Sequence, residues 1–436
     1  MIPSVIVVGG GWAGLSCAVE LVQSGCQVTI LEAAPQLGGR ARCIPFGEMT
    51  VDNGQHLLIG AYRHTLELLN KLGYPEHELF SRLPLRLLSN EGVDRQNGLT
   101  LPPYLPAPLN LAWGLLTMQG FGWSARFSAL RFALRMRLRG FTLAEDQELG
   151  TLLRDCGQSS ELIHKLWEPL CLATLNTPYE EASAQLFLNV LRDSFSRHAK
   201  DTDILLPHGD IGQLMPVLAS NWLKSRGVKI ITGQRVTRLL HNTSAASGVA
   251  CGEQQYLSDH TILACSLEES RRLLPMLPPL LPLQESLQAI DSYPITTIYL
   301  RYATEIQLPY PLYGLLGTHA QWLVDRTHCG QPNLLAVVIS GPGPHMEMSR
   351  AMLAQTIISE VAERLPKLSQ PLDSMIIKEK RATFRAIAGV NRYRPNHQTT
   401  LSGLWLAGDY THGPYPATLE GAVQSGVQCA RLITKR

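Results

Sequence analysis

The chain is short of charge. Only 17% of its 436 residues are Asp, Glu, Lys or Arg, against roughly 25% in an average soluble domain. Apolar residues stay near average at 45%, so the deficit is of ionic surface, and part of that surface is expected to face something oily. The charge that is present nearly cancels, 38 basic against 36 acidic side chains for a net +2. No global field gathers polyanions, and no nucleic-acid partner is expected. The nine cysteines are odd in number and include no C-x-x-C pair; this argues against a disulfide framework or a zinc knuckle and for a reducing, cytoplasmic compartment. The thirteen histidines form no H-x-x-x-H or H-E-x-x-H cluster, so no metal site is expected. No secretory signal fits, because no basic residue precedes the first apolar run and a glycine-rich turn follows it at once.

What the chain does have begins at that turn. Ser4-Val5-Ile6-Val7-Val8 is a β-branched run of the kind buried in a parallel sheet, and it leads directly into Gly9-Gly10-Gly11-Trp12-Ala13-Gly14. Gly9 permits a tight turn, Gly11 lets backbone approach a pyrophosphate, and Gly14 allows close packing of helix on strand, with the anion on the helix N-terminus. The helix presents Leu15, Ala18 and Leu21 inward and breaks at Gly25, and a second strand, Gln27 to Leu31, ends at Glu32. That acid is placed to hold ribose hydroxyls and would repel a 2′-phosphate, leaving FAD or NAD. Gly38-Gly39-Arg40, six residues past Glu32, suits a long dinucleotide whose phosphates need a further cation.

Glu32 and Ala33 with Gly38-Gly39-Arg40-Ala41 resemble the motif that follows the ribose-binding acid in the flavin amine oxidase and phytoene desaturase superfamily. Leu404-Trp405-Leu406-Ala407-Gly408-Asp409, followed by Pro416-Ala417-Thr418-Leu419-Glu420-Gly421-Ala422, resembles its C-terminal flavin motif. The resemblance implies that Asp409 meets the ribityl–pyrophosphate region and that a helix opening at Thr418 turns its free N–H groups toward the flavin pyrimidine ring. It also makes Gly227 to Thr232 with Val236 the strand that returns to the adenine, and Thr261 to Cys265, with Ala264, the strand that closes over the first glycine loop. The expected fold is α/β: a Rossmann-like, amine oxidase-like FAD-binding domain over 1–85, 205–265 and 385–436, with an inserted α+β domain from 86–204 and 266–384 that takes the substrate and touches membrane.

The insertion carries its own signals. No charged residue occurs from Gln96 to Ala125, 30 positions, long enough to span a bilayer, but prolines at 102, 103, 106 and 108 forbid a continuous helix. Leu109 to Trp123 is suited instead to an interface, with Trp113 and Trp123 as anchors. Beyond it, helical spacing puts Arg131, Arg135 and Arg139 on one stripe and Phe127, Leu130, Leu134 and Leu138 on another, with no Asp or Glu from 95 to 144. This is a membrane-surface pattern. The proline-broken Leu273 to Leu283 reads as a buried loop.

Leu166 to Pro178, Asp52-Asn53-Gly54-Gln55-His56 and Tyr293 to Tyr299 resemble the squalene-associated branch of the superfamily, which serves bacterial hopanoid synthesis. That branch implies removal of an allylic hydroxyl from hydroxysqualene, a C30 isoprenoid lipid, with hydride from reduced FAD. Gly54 and Gln55 then belong with the cofactor contacts, and Glu168 and His56 are the candidate acids that help water leave. No other G-x-G-x-x-G occurs, so electrons would come from a partner reductase or brief NAD(P)H docking. Other readings stay open: a phytoene-type desaturase running hydride the other way, an amine oxidase with Tyr415 in an aromatic pair, and a flavin-free prenyl-lipid carrier resembling the Rab escort proteins.

Overall fold

The computed structural model describes residues 2–92 and 95–435. Met1 and Arg436, at the ends of the expected cofactor segments, and Val93 and Asp94, inside the expected insertion, lie outside it.

Five strands form a fully parallel sheet in the order Lys229–Ile231, Gln27–Leu31, Ser4–Val8, His260–Leu263, Leu404–Leu406. Parallel strands require crossover connections, and here three of the four neighbouring pairs join strands more than a hundred residues apart in the chain, which is why the sheet draws on both ends of the chain and its middle. The helix Trp12–Gln23 follows the first strand, with Leu15, Ala18 and Leu21 fully buried as its spacing predicts. It ends at Ser24, and Gly25 turns the chain at φ 83°. The last helix, Leu419–Thr434, packs across it so closely that a Cβ on Gly426 would lie 2.1 Å from the Ala13 carbonyl oxygen. The segment at 229–231 is the parallel edge of this sheet, paired with Gln27–Leu31, and not one arm of a hairpin.

A second sheet has seven strands in the order Asp373–Phe384, Ser292–Arg301, Leu334–Ser340, Trp322–Asp325, Leu312–Leu315, Arg86–Gly92, Arg95–Thr100. Period-two alternation divides its faces. Ile298 and Leu300 pack on Leu353, Ile357 and Val361 of the helix Arg350–Arg364, whereas Ile295 and Thr297 look the other way into a cavity. Helices Glu168–Leu175 and Ala184–Phe195 help to close that side, the first continuing from a π-helical turn at Ile163–Trp167.

The uncharged stretch folds as a helix, Leu109–Thr117, which a short turn joins to a second, Trp123–Leu138. The second helix buries Ala125, Ala129, Phe132 and Met136, so Phe127, Leu134 and Leu138 face outward with the arginines. Among the described residues no helix is long and apolar enough to cross a membrane. Leu273 to Leu283 is not one loop: a helix ends at Leu273, Pro278–Leu280 makes a 3₁₀ turn and a helix begins at Leu281, with Leu273, Leu274 and Leu280 buried and Met276 exposed.

Candidate cofactor and active site

A cavity of about 620 Å³ runs between the two sheets. Its first wall is the carboxyl end of the parallel sheet, the position where such sheets bind ligands. Gly9 sits there at φ 110°, and a Cβ on it would lie 2.6 Å from the Ala264 carbonyl oxygen, so strand and glycine loop close on each other. Gly11 is the opposite case: a Cβ there would meet nothing nearer than the Gly39 Cα at 3.9 Å. The space beside it belongs to the cavity, which Gly9, Gly11, Trp12 and Ala13 all line. Gly10 and Gly14 do not line it. The Gly10 amide donates to Glu32 Oε2 at 2.6 Å, and Gly14 lies against the loop, where a Cβ would be 2.0 Å from the Gly9 carbonyl oxygen.

Glu32 and Ala33 form the next part of the wall. The second carboxylate oxygen of Glu32 accepts from the Ala34 amide at 2.8 Å, which leaves lone pairs on both oxygens for further donors. The Gly38 amide donates to the Gly10 carbonyl at 2.8 Å, docking the second glycine pair on the first. Gly38, Gly39, Arg40 and Ala41 line the cavity. Arg40 donates to Asp409 Oδ2 at 2.7 Å and to the Ala382 carbonyl at 2.5 Å, so it reaches the seven-stranded sheet as well. Val236 and Ala264 lie on the wall as well, joined by Arg235 and Arg272, two cations that the motifs did not mark. Arg272 donates to the Val236 carbonyl at 2.7 Å.

Gly408, Asp409, Pro416, Ala417 and Thr418 close the opposite wall. Their loop is held from beneath by Arg394, a buried residue that donates to the carbonyls of Asp409, Gly413 and Tyr415 at 2.9 to 3.0 Å. Thr418 caps the last helix as its spacing predicts, accepting from the Gly421 amide at 3.0 Å. The Tyr415 hydroxyl donates to Asp193 at 2.9 Å, and that carboxylate, paired with Arg192, pushes the phenol pKa up together with burial.

Gly54, Gln55 and His56 come in from a third side. The Gln55 amide donates to Thr297 Oγ1 at 3.2 Å, and its side-chain oxygen accepts from Arg326 at 2.8 Å. Arg326 is fully buried between Asp52, at 3.5 Å, and Asp210, to which it is also bonded. Burial raises the pKa of both carboxyls. His56 faces the cavity, and its buried Nδ1 has no partner among the described residues. Burial drives its pKa down to about 4, with Arg40 and Arg326 acting in the same direction, so the imidazole is neutral at ordinary pH.

Glu168 is not brought to this site. Its carboxylate accepts from or pairs with His164 at 2.8 Å, one turn earlier in the chain and open to solvent, while Leu170, Ala173 and Thr174 of the same helix line the cavity. Glu168, expected as an acid, does not line the cavity in this structure. Beyond the polar walls the cavity turns apolar, lined by Leu57, Ile59, Leu85, Leu87, Leu170 and Leu191. These positions come from four separated segments, and no local pattern marks them.

The residues fit a dinucleotide flavin. Open space sits beside Gly11 where a phosphate must approach, a carboxylate stands at the end of the second strand, and a helix N-terminus faces the same cavity. The comparisons agree. The family model described as flavin containing amine oxidoreductase matches residues 12–434. A hydroxysqualene dehydroxylase of Rhodopseudomonas palustris is 27% identical, with 99% of each chain covered. A zeta-carotene desaturase of Synechocystis is 23% identical over 98% of this chain and 96% of its own. Cyclohexylamine oxidase from Brevibacterium oxydans has a closely similar fold, with a TM-score of 0.72 at 16% identity, covering 100% of this chain and 99% of that one. The chain belongs to the flavin-containing amine oxidoreductase family and is an FAD-dependent oxidoreductase.

Proposed function

We propose that the protein reductively dehydroxylates hydroxysqualene to squalene, a step of bacterial hopanoid synthesis, at the inner face of the membrane. The observation that carries this reading is the cavity itself, whose lining combines a dinucleotide cradle with the apolar side chains Leu57, Ile59, Leu85, Leu87, Leu170 and Leu191. Full-length similarity to a hydroxysqualene dehydroxylase supports it.

FAD bound in its reduced form supplies the hydride. In this reading Glu32 would hold the ribose, Gly9, Gly11, Trp12 and Ala13 with Gly38, Gly39 and Arg40 would hold the pyrophosphate, and Ala33, Val236 and Ala264 would pack on the adenine end, while Gly10 and Gly14 shape the loop behind them. Asp409 takes the ribityl side, and Gly54, Gln55, Pro416, Ala417 and Thr418 frame the reactive ring. The allylic C–O bond would break as hydride adds to the carbon, and the hydroxyl would leave as water with one proton drawn from solvent. His56, neutral and with a free ring nitrogen, donates a hydrogen bond to the departing hydroxyl. The leucines of the far chamber keep water from a cation-like carbon. Electrons reach the flavin from NAD(P)H or a partner reductase.

The test is anaerobic mixing of dithionite-reduced protein with 12-hydroxysqualene, followed by flavin absorbance and mass spectrometry of the lipid. Reoxidation coupled to squalene is expected. Bound flavin that stays reduced sinks the proposal and favours the second reading, a carotenoid-type desaturase, which the similarity to zeta-carotene desaturase supports.

A further inference from the structure

The two helices of the uncharged stretch form a hairpin whose outer face carries large apolar side chains. Trp113 is 53% exposed, Trp123 64%, Phe127 57% and Leu138 80%, with Leu109 and Leu134 beside them in the sequence pattern. The four on the second helix, at 123, 127, 134 and 138, recur on one face. Scattered exposed apolar residues are ordinary, but a run of this size along one face is not. The helix has a sufficient core face without them, in Ala125, Ala129, Phe132 and Met136.

Charge accompanies the patch. Arg131, Arg135, Arg137 and Arg139 are exposed on the same helix, and among the described residues none of them is paired with an acid. Arg126 is spent differently: it donates to the carbonyls of Leu116 and Phe121 at 3.1 and 3.0 Å and lies over the Trp123 ring, bracing the turn between the helices. An apolar face with interfacial tryptophans, rimmed by cations that no described acid pairs, is complementary to an anionic lipid leaflet.

The hairpin also stands over a small void that adjoins the cavity. This void is lined by Phe121 of the hairpin turn, by Ser89 and Gly98 of the edge strands and by Leu166 of the π-helical turn, and it shares Leu87 and Leu170 with the main cavity. The turn is fixed to the edge strand through paired Gly98 and Gln119 backbone bonds of 3.1 and 2.8 Å. π-helical turns are locally wide and occur often at functional sites.

We propose that the hairpin Leu109–Leu138 seats the protein on an anionic lipid leaflet and that the neck beneath Phe121, between Leu87 and Leu170, admits the apolar substrate from that leaflet to the cavity. The docking surface stands on its own; the traffic through the neck rests on the lipid-substrate reading above.

Flavin-loaded protein is mixed with phosphatidylglycerol vesicles and with phosphatidylcholine vesicles. Binding is expected to the first, and the triple change Arg131→Glu, Arg135→Glu, Arg139→Glu is expected to weaken it about a hundredfold. Bromine-labelled lipid is expected to quench tryptophan fluorescence, and the double change Trp113→Phe, Trp123→Phe to remove that quenching. Equal binding to both vesicles, or quenching that survives the double change, overturns the docking surface. For the neck, reoxidation of reduced flavin by vesicle-borne 12-hydroxysqualene is compared with reoxidation by dioxygen, which needs no wide path. Ser89→Leu, which fills the void, is expected to lower the lipid-to-dioxygen rate ratio, and Phe121→Ala, which widens it, to raise the ratio. A ratio that neither change moves overturns the neck. Wild-type protein that lipid cannot reoxidise even in detergent counts against the dehydroxylase reading instead, while vesicle binding still decides the docking surface.

Discussion

Arg40 and Asp409 meet at 2.7 Å although 369 residues separate them. The pair welds the second glycine turn to the C-terminal flavin loop, so the two motifs are one wall. Arg40 is partly exposed to the cavity and Asp409 is nearly buried, and the carboxylate raises the guanidinium pKa further. Arg40→Ala removes the cation beside Asp409 and leaves that carboxylate unneutralised on the cavity wall where the proposed cofactor lies. FAD affinity is expected to fall about tenfold to hundredfold, the loss of one charge-assisted contact. Titration of apoprotein with FAD, read by quenching of flavin fluorescence, checks it; unchanged affinity would place the pyrophosphate elsewhere.

Gly11 and Gly14, three residues apart, have opposite sensitivities. Gly11 borders open space, whereas a Cβ on Gly14 would lie 2.0 Å from the Gly9 carbonyl oxygen. Gly11→Val is therefore expected to leave the thermal midpoint of the apoprotein unchanged while abolishing bound flavin absorbance. Gly14→Ala is expected to lower that midpoint itself, because backbone, not a flexible side chain, must move. Calorimetry of both apoproteins beside their visible spectra separates the cases.

The cradle was legible because its requirements are local. A buried strand, glycines at fixed offsets and a terminal acid lie within Ser4 to Glu32, and each position has its own steric reason. The helix phase of Trp123–Leu138 was legible for the arginines, but which apolar stripe is the core is decided by a partner surface, and Ala125, Ala129 and Phe132 prevailed over Phe127 and Leu134. Glu168 stood in a suggestive run, yet it lies at the start of its helix, where its carboxylate meets His164. The far wall of the cavity was beyond reach of sequence patterns. Thr297, Ser340 and Ile377 come together through antiparallel pairing across three strands, and nothing local specifies such register.

Arg326 shows the same non-locality in energetic form. It bridges Asp52 and Asp210, 274 and 116 residues away, with no exposure to solvent. Removing one partner of a buried ion cluster strands the others, at a cost of about 3–5 kcal/mol. Arg326→Met is expected to destabilise the protein by that amount in urea, and the combined Arg326→Met, Asp52→Asn, Asp210→Asn to recover part of it. A single change that costs nothing would mean that the carboxyls already share a proton without the arginine.

Acid sensitivity should trace in part to two histidines that burial holds neutral. Burial lowers His56 and His345 each to about 4 from an ordinary 6.5. Above pH 6.5 both are uncharged whether folded or unfolded, and their contribution to stability is constant. As pH falls from 6.5 toward 4 the unfolded chain takes up protons that the folded chain refuses, so each residue removes up to about 1.4 kcal/mol per pH unit. The flavin-free protein is expected to lose stability between pH 7 and 5.5, and His56→Gln and His345→Gln each to flatten that loss. Only His56 lines the cavity, so only His56→Gln should also slow turnover, and it should do so equally at pH 6 and pH 8 because the neutral imidazole persists across that range. Urea midpoints and turnover measured at these pH values decide it; an activity inflection near pH 6.5 that vanishes in His56→Gln would show that the histidine titrates in the working range after all.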